Sequence, residues 1–236
     1  MSKTFKSKGV VFRSLKYSET SLILDIYTQM HGLGSYIVSG VRKAKSKTSN
    51  VYNPMNIIDL VAYVPGESLS RIKEASYDHT YQKLDREVIR AAIGTYFIDL
   101  LRSSIKEKEP NELLYLYIVK TLKDLDSGAS LGNLPIRYAI ELASHLGFQL
   151  SDNYSDQNQY FDLQVGAFID NDIRHKYILN DAVSYSLHAV MQNPVNAAMD
   201  KTSRKVLLDA LMDYYRLHIE DFRPLRSLPV LRTLLS

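Results

Sequence analysis

The chain has 236 residues, 45% hydrophobic and 23% charged, enough to build a core for one large domain or two small ones, and this excludes the disordered and low-complexity classes. Cysteine is absent, which excludes disulfide scaffolds, thiol catalysis and cysteine-ligated zinc and fits a reducing compartment. The net charge is only +3, no apolar run approaches the roughly 20 residues of a membrane span, and the N-terminus lacks the apolar centre of a secretory signal, so a soluble cytoplasmic protein with no membrane partner is expected.

The first 80 residues read as strands. Val10-Val11-Phe12 is a short apolar run, and Ser21 to Thr28 places Leu22, Leu24 and Ile26 on one parity and Ile23 and Tyr27 on the other, as in a strand buried on both faces. His31-Gly32-Leu33-Gly34 reads as a turn, followed by a strand from Ser35 to Val41. Ile57 to Val64 and Leu69 to Tyr77 complete five strands, separated by Pro65-Gly66. A small barrel is the natural closure for five short strands in this length.

The period changes near Leu84. Val88, Ala91, Ala92, Thr95 and Tyr96 follow a helical spacing, and Glu112 to Leu125 carries an apolar stripe ended by Asp126-Ser127-Gly128. Pro135 opens a third helix that stops at Gly147. Tyr160 to Ile169 and Lys176 to Leu179 are expected to pair as a hairpin across Asp170-Asn171-Asp172. Asp181 is expected to cap a helix reaching Met191, with further helices over Lys201 to Ile219 and Leu225 to Leu235.

Charge is uneven. Residues 1–80 hold 11 Lys/Arg against 6 Asp/Glu, and residues 81–236 hold 18 against 20. From Ile26 to Ile58 there is no acid, and Arg42, Lys43, Lys45 and Lys47 crowd its centre. Such a segment builds a positive field. It reads either as a phosphate-binding patch or as a solvated lysine-rich loop. Tyr17, Tyr36 and Tyr52 lie near the basic segments and either pack at the core edge or stack on bases.

Catalytic patterns are missing. Gly32-Leu33-Gly34 lacks the third glycine of a dinucleotide loop, there is no Gly-Lys-Ser/Thr phosphate loop, and the six histidines show no i, i+4 pair. Asp152, Asp156 and Asn158 miss the calcium-loop register, with Tyr154 at a ligand position and no central glycine. No metal or other cofactor is expected.

Several segments together carry a resemblance. Gly9 to Ser21, with Tyr17-Ser18-Glu19-Thr20-Ser21, resembles the opening strand and turn of the RecO family of DNA repair proteins. Thr28 to Gly32 is similar to its Thr-x-x-His-Gly, and Gly40-Val41-Arg42-Lys43-Ala44-Lys45-Ser46 to its basic signature after the third strand. His145-Leu146-Gly147-Phe148 and Arg223-Pro224-Leu225-Arg226-Ser227 resemble later family segments in the same order. One departure matters most: many family members carry a four-cysteine zinc site after the Leu-Gly-Tyr/Phe helix end, whereas residues 149–179 here hold no cysteine. The flanking hairpin is therefore expected without metal, held by Tyr160, Phe161, Phe168 and Tyr177.

The resemblance implies an α+β multidomain chain: a five-stranded oligonucleotide/oligosaccharide-binding (OB) barrel over 1–80, then an all-α domain over 81–236 with a small β-hairpin insertion at about 149–179. It implies a non-enzymatic recombination mediator, nucleoid-associated, that binds single- and double-stranded DNA and anneals complementary strands. It further implies partners: RecR, the acidic tail of single-strand binding protein, and in some lineages RecF, in loading RecA. Arg42, Lys43, Lys45 and Lys47 are the first candidates for phosphate contacts, with Lys8, Arg13 and Lys16 (and Lys6) extending the path. Arg137, Arg223 and Arg226 are cations near apolar helix segments, but no tail site is assigned to them. The residues alone leave open an OB-fold RNA-binding or ribosome-associated protein without annealing activity.

Overall fold

A computed structural model describes residues 3–41, 49–64, 69–106, 108–128, 130–170 and 175–235. The chain divides into two compact units, Met1–Ser127 and Gly128–Ser236.

In the first unit β1 (Thr4–Lys16), β2 (Leu22–Thr28), β3 (Gly32–Val38), β4 (Ile57–Tyr63) and β5 (Ser70–Tyr77) close into a barrel of order β1-β2-β3-β5-β4. Only β3 and β5 pair in parallel. This is the OB architecture, whose closure removes the exposed sheet edges that invite aggregation. The interior is filled by Val11, Leu24, Ile26, Ile58 and Leu60. Tyr36 and Tyr52 are also part of that core, which settles them as packing residues rather than base platforms, while Tyr17 is 63% exposed.

The turn expected at His31 to Gly34 is shorter than the sequence indicates. Residues 29–31 make the turn, and β3 already starts at Gly32. Gly32 has φ +60°, and a Cβ there would lie 2.4–2.5 Å from the carbonyl oxygens of Lys108 and Glu109. The glycine therefore serves a close approach of two backbones as well as a left-handed conformation.

Two helices complete this unit, α1 (Val88–Ser104) and α2 (Glu112–Ser127). The expected boundary at residue 80 marks the change from strands to helices, but the compact unit runs on through α2. Asp126, near the end of α2, explains part of this. Its carboxylate accepts the amides of Lys83 and Leu84 at 2.8 Å and Gln82 at 3.1 Å, which fastens the exit from the barrel. Burial opposes its ionisation, but the Leu84, Lys83 and Gln82 amides outweigh that and hold the carboxyl below its ordinary value. Buried Arg90 adds a second tie, donating to the Leu125 carbonyl at 2.5 Å and pairing with Glu87 at 2.6 Å.

The second unit contains α3 (Leu134–His145), β6 (Tyr160–Asp162), β7 (Ala167–Ile169), α4 (Asp181–Gln192), α5 (Lys201–His218) and α6 (Leu228–Leu235). Gly147 at φ +87° terminates the α3 segment as its position indicated. The cap of α4 is Asn180, whose side chain accepts the Val183 amide at 2.9 Å; Asp181 is the first helical residue. An acid in that first turn still favours the positive helix end. The last helix starts at Leu228 rather than Leu225, with Pro229 in its first turn, where no amide donor is needed.

The hairpin pairs differently from the expectation. Both arms lie within Tyr160–Ile169, with Phe161 opposite Phe168, and the turn falls at 163–166. The 177–179 segment instead flanks β6: Leu163 donates to the Tyr177 carbonyl at 3.0 Å and Leu179 to Phe161 at 2.9 Å. Among the described residues no helix is long and apolar enough to cross a membrane.

Candidate nucleic-acid interface

The outer face of β1–β2–β3 is built by a register shift. Before it, Val11 pairs with Ile26 and both point into the barrel; after it, Arg13 pairs with Asp25. Phe12 is the extra residue of a β-bulge, and it reverses the parity of the strand. Unbroken alternation would have sent Arg13 inward with Val11. The bulge turns it out beside Asp25, whose own partner on β3 is Ser35. Arg13 Nε donates to Asp25 at 2.6 Å and Ser35 Oγ donates to the same carboxylate at 3.0 Å.

These three residues line a cleft of about 750 Å³ that also takes in His31, Leu69 and Ser70. Its far wall is the α1–α2 connection, which brings Lys106, Lys108 and Glu109 to the rim. The wall is fixed by the glycine contact at Gly32 and by a Gln29–Glu112 hydrogen bond of 3.3 Å. Lys108 is exposed and makes no ion pair among the described residues. In OB folds the β2–β3 face is the usual ligand face.

The sequence-derived residues do not all meet at this face. Arg13 lies in the cleft. Lys8 lines a separate concavity of about 560 Å³ with Lys6, Asp59 and Glu74, and it is bonded to Asp78. That hydrogen bond, with the Asp78 charge, raises the Lys8 ammonium above its ordinary value. Lys16 is exposed at the end of β1 and has no ion pair among the described residues. Arg42, Lys43, Lys45 and Lys47 lie outside the described residues. Asp25, Lys106 and Lys108 were not found by sequence reasoning. Lys106-Glu107-Lys108-Glu109 alternates in sign and reads as an ordinary solvated loop, and the strand pairing of Asp25 has no local signature.

The helical unit offers a different surface. Pro135, Ile136, Leu208 and Leu231 floor a groove of about 280 Å³, and Lys201 and Lys205 stand on its rim. Both lysines are exposed and without an ion pair among the described residues. Arg204, also on the rim, donates to Asn133 at 3.1 Å. Arg137, a cation singled out by the sequence, is paired with Glu141 at 2.7 Å; Arg223 and Arg226 are exposed.

A four-thiolate site cannot form without cysteine, and no three His, Cys, Asp or Glu side chains cluster among the described residues. The described residues of the hairpin region do not fit zinc. Asp162 organises the turn instead, its buried carboxylate accepting the Gln164 amide at 2.7 Å and contacting His175 Nε2 at 3.0 Å. Phe161 and Phe168 meet edge to face at 4.9 Å and are buried, whereas Tyr160 and Tyr177, expected to share that packing, remain partly exposed. Tyr214 and His218 of α5 supply the rest: Tyr214 donates to the Phe148 carbonyl at 2.6 Å and His218 Nε2 to Leu163 at 2.9 Å.

These features define an OB-barrel protein that continues into a helical unit. Comparison with known proteins is narrower. The family model described as "Recombination protein O N terminal" matches residues 1–81, and "Recombination protein O C terminal" matches residues 86–229. The chain is 32% identical to the DNA repair protein RecO of Christiangramia forsetii over 95% of this chain and 96% of that relative. It is 30% identical to that of Bacteroides fragilis strain ATCC 25285 over 97% and 98%, and 29% identical to that of Phocaeicola vulgatus over 98% and 99%. The chain belongs to the recombination protein O family.

Proposed function

We propose that this chain is a DNA repair and recombination mediator, acting in the cytoplasm on nucleoid DNA without catalysing a reaction itself. Its barrel binds single- and double-stranded DNA and lowers the phosphate repulsion that opposes strand annealing. With RecR, and in some settings RecF, it loads RecA onto DNA coated by single-strand binding protein. The observation that carries this reading is the β2–β3 cleft of an OB barrel, with Arg13 inside and Lys106 and Lys108 on its rim, in a chain of this family.

Arg42, Lys43, Lys45 and Lys47 provide the main phosphate contacts in this reading, and Lys16 and Arg13 extend them; Lys8, held by Asp78, contributes least. Contacts to phosphate position a strand without reading its sequence, so selectivity is low. The helical groove suits the acidic tail of single-strand binding protein. Its apolar floor takes the tail's apolar end, and Lys201 and Lys205 face the carboxylates. The test is an annealing assay with complementary oligonucleotides, bare and coated with single-strand binding protein, followed by RecA loading with RecR. Faster annealing and loading are expected. Unchanged rates in both would refute the mediator reading.

A further inference from the structure

Asp25 is the sole acid between Glu19 and Asp59 in the sequence, yet it lines the cleft proposed to meet DNA, whose far rim holds the acid Glu109. It is not a stray surface charge. Its side chain is 15% exposed, fixed by Arg13 on one side and Ser35 on the other. Arg13 remains 38% exposed, so an incoming phosphate can reach the guanidinium, but only within contact range of the carboxylate already bound to it. The phosphate must then displace Asp25 or share Arg13 with it. Either arrangement weakens the contact, because like charges a few ångströms apart repel even at the high effective dielectric of a protein surface.

We infer that Asp25 restrains the barrel's grip on DNA: it occupies Arg13 in the free protein, so that a bound strand is held loosely enough to be surrendered to its complement. This inference rests on the reading that DNA enters the β2–β3 face. Asp25→Asn conserves shape and can still accept a hydrogen bond from Arg13 or Ser35, but it removes the charge. Asp25→Ser is a second variant that an outward strand position tolerates.

The experiment is fluorescence anisotropy of a labelled single-stranded oligonucleotide with the full chain at several salt concentrations. Asp25→Asn is expected to bind about three- to tenfold more tightly at low salt. The slope of log affinity against log salt should steepen by about 0.7, as one more phosphate is neutralised. Asp85→Asn removes the same charge from an exposed position outside the cleft and should leave affinity within about twofold. In an Arg13→Gln background the gain from Asp25→Asn should vanish, as coupling through Arg13 requires. Equal or weaker binding by both Asp25 variants overturns the inference, as does a matching gain in Asp85→Asn or a gain that survives loss of Arg13. A parent chain that binds no DNA overturns the proposed function and this inference together.

Discussion

Two cations of the barrel and two of the helical unit are held in opposite ways. In the barrel, Lys8 and Arg13 each have a carboxylate of their own, Asp78 and Asp25. In the helical unit, Lys201 and Lys205 stand without ion pairs among the described residues, around an apolar floor. A polyanion on the barrel has to compete with internal acids, so its binding should be weak per contact and strongly salt-dependent. A short acidic peptide in the groove gains apolar burial as well, which salt does not screen. Counting lysines and arginines along a sequence cannot tell these two situations apart.

The largest expected effect tests what holds the hairpin of the helical unit. Phe161→Ala removes a fully buried ring from the hairpin and should cost about 3–5 kcal/mol in chemical denaturation. A metal chelator should leave the parent's unfolding midpoint where it was; a chelator-induced drop would show that something other than Asp162 and the aromatic packing holds this hairpin. On the barrel side, Gly32→Ala forces a Cβ against the Lys108 and Glu109 carbonyls and should destabilise the chain by about 2 kcal/mol or more. It should also weaken DNA binding by displacing the cleft's far wall, and unchanged stability would remove the basis for treating the α1–α2 connection as part of that face.

The contrast between the two surfaces is sharpened by charge reversal. Lys201→Glu with Lys205→Glu should weaken binding of an acidic, apolar-ended peptide by about tenfold or more and leave single-stranded DNA binding near the parent value. Equal losses for both ligands would mean that the groove and the barrel do not divide the work. A smaller effect concerns acid. Because Asp126 titrates below its ordinary value in the folded chain, its contribution is present above the unfolded carboxylate range and is lost as pH falls through that lower folded value. Asp126→Asn should therefore lower stability at pH 7 by about 1–3 kcal/mol and flatten the loss of stability below about pH 4.

Much of the fold was legible in the sequence. The five strands and the helices α2, α3 and α5 follow directly from apolar period and punctuation at Gly147 and Pro135. What was hidden depended on pairing partners. The bulge at Phe12 decides which way Arg13 faces, and nothing in Val10-Val11-Phe12-Arg13 announces it. Gly32, where β3 starts, lies close against the backbone of the α1–α2 connection, some 75 residues along the chain by the numbering of Lys108 and Glu109. The third, flanking segment of the hairpin was read as one of its two arms, because apolar pattern does not specify which short strand neighbours which. The site was legible as a charge imbalance but not as an arrangement: Asp25, Lys106 and Lys108 gain their meaning from the cleft they line.

The most direct test of the central claim is the salt dependence of single-stranded DNA binding by the full chain and by a variant carrying Arg42→Ala, Lys43→Ala, Lys45→Ala and Lys47→Ala. Four phosphate contacts contribute about −3 to the log–log slope, or on the order of a 50-fold loss of affinity over a fourfold rise in salt. The account predicts a parent slope at least that steep and a variant slope shallower by about 3, with the barrel still folded. Equal slopes and equal affinities for the two proteins would contradict it.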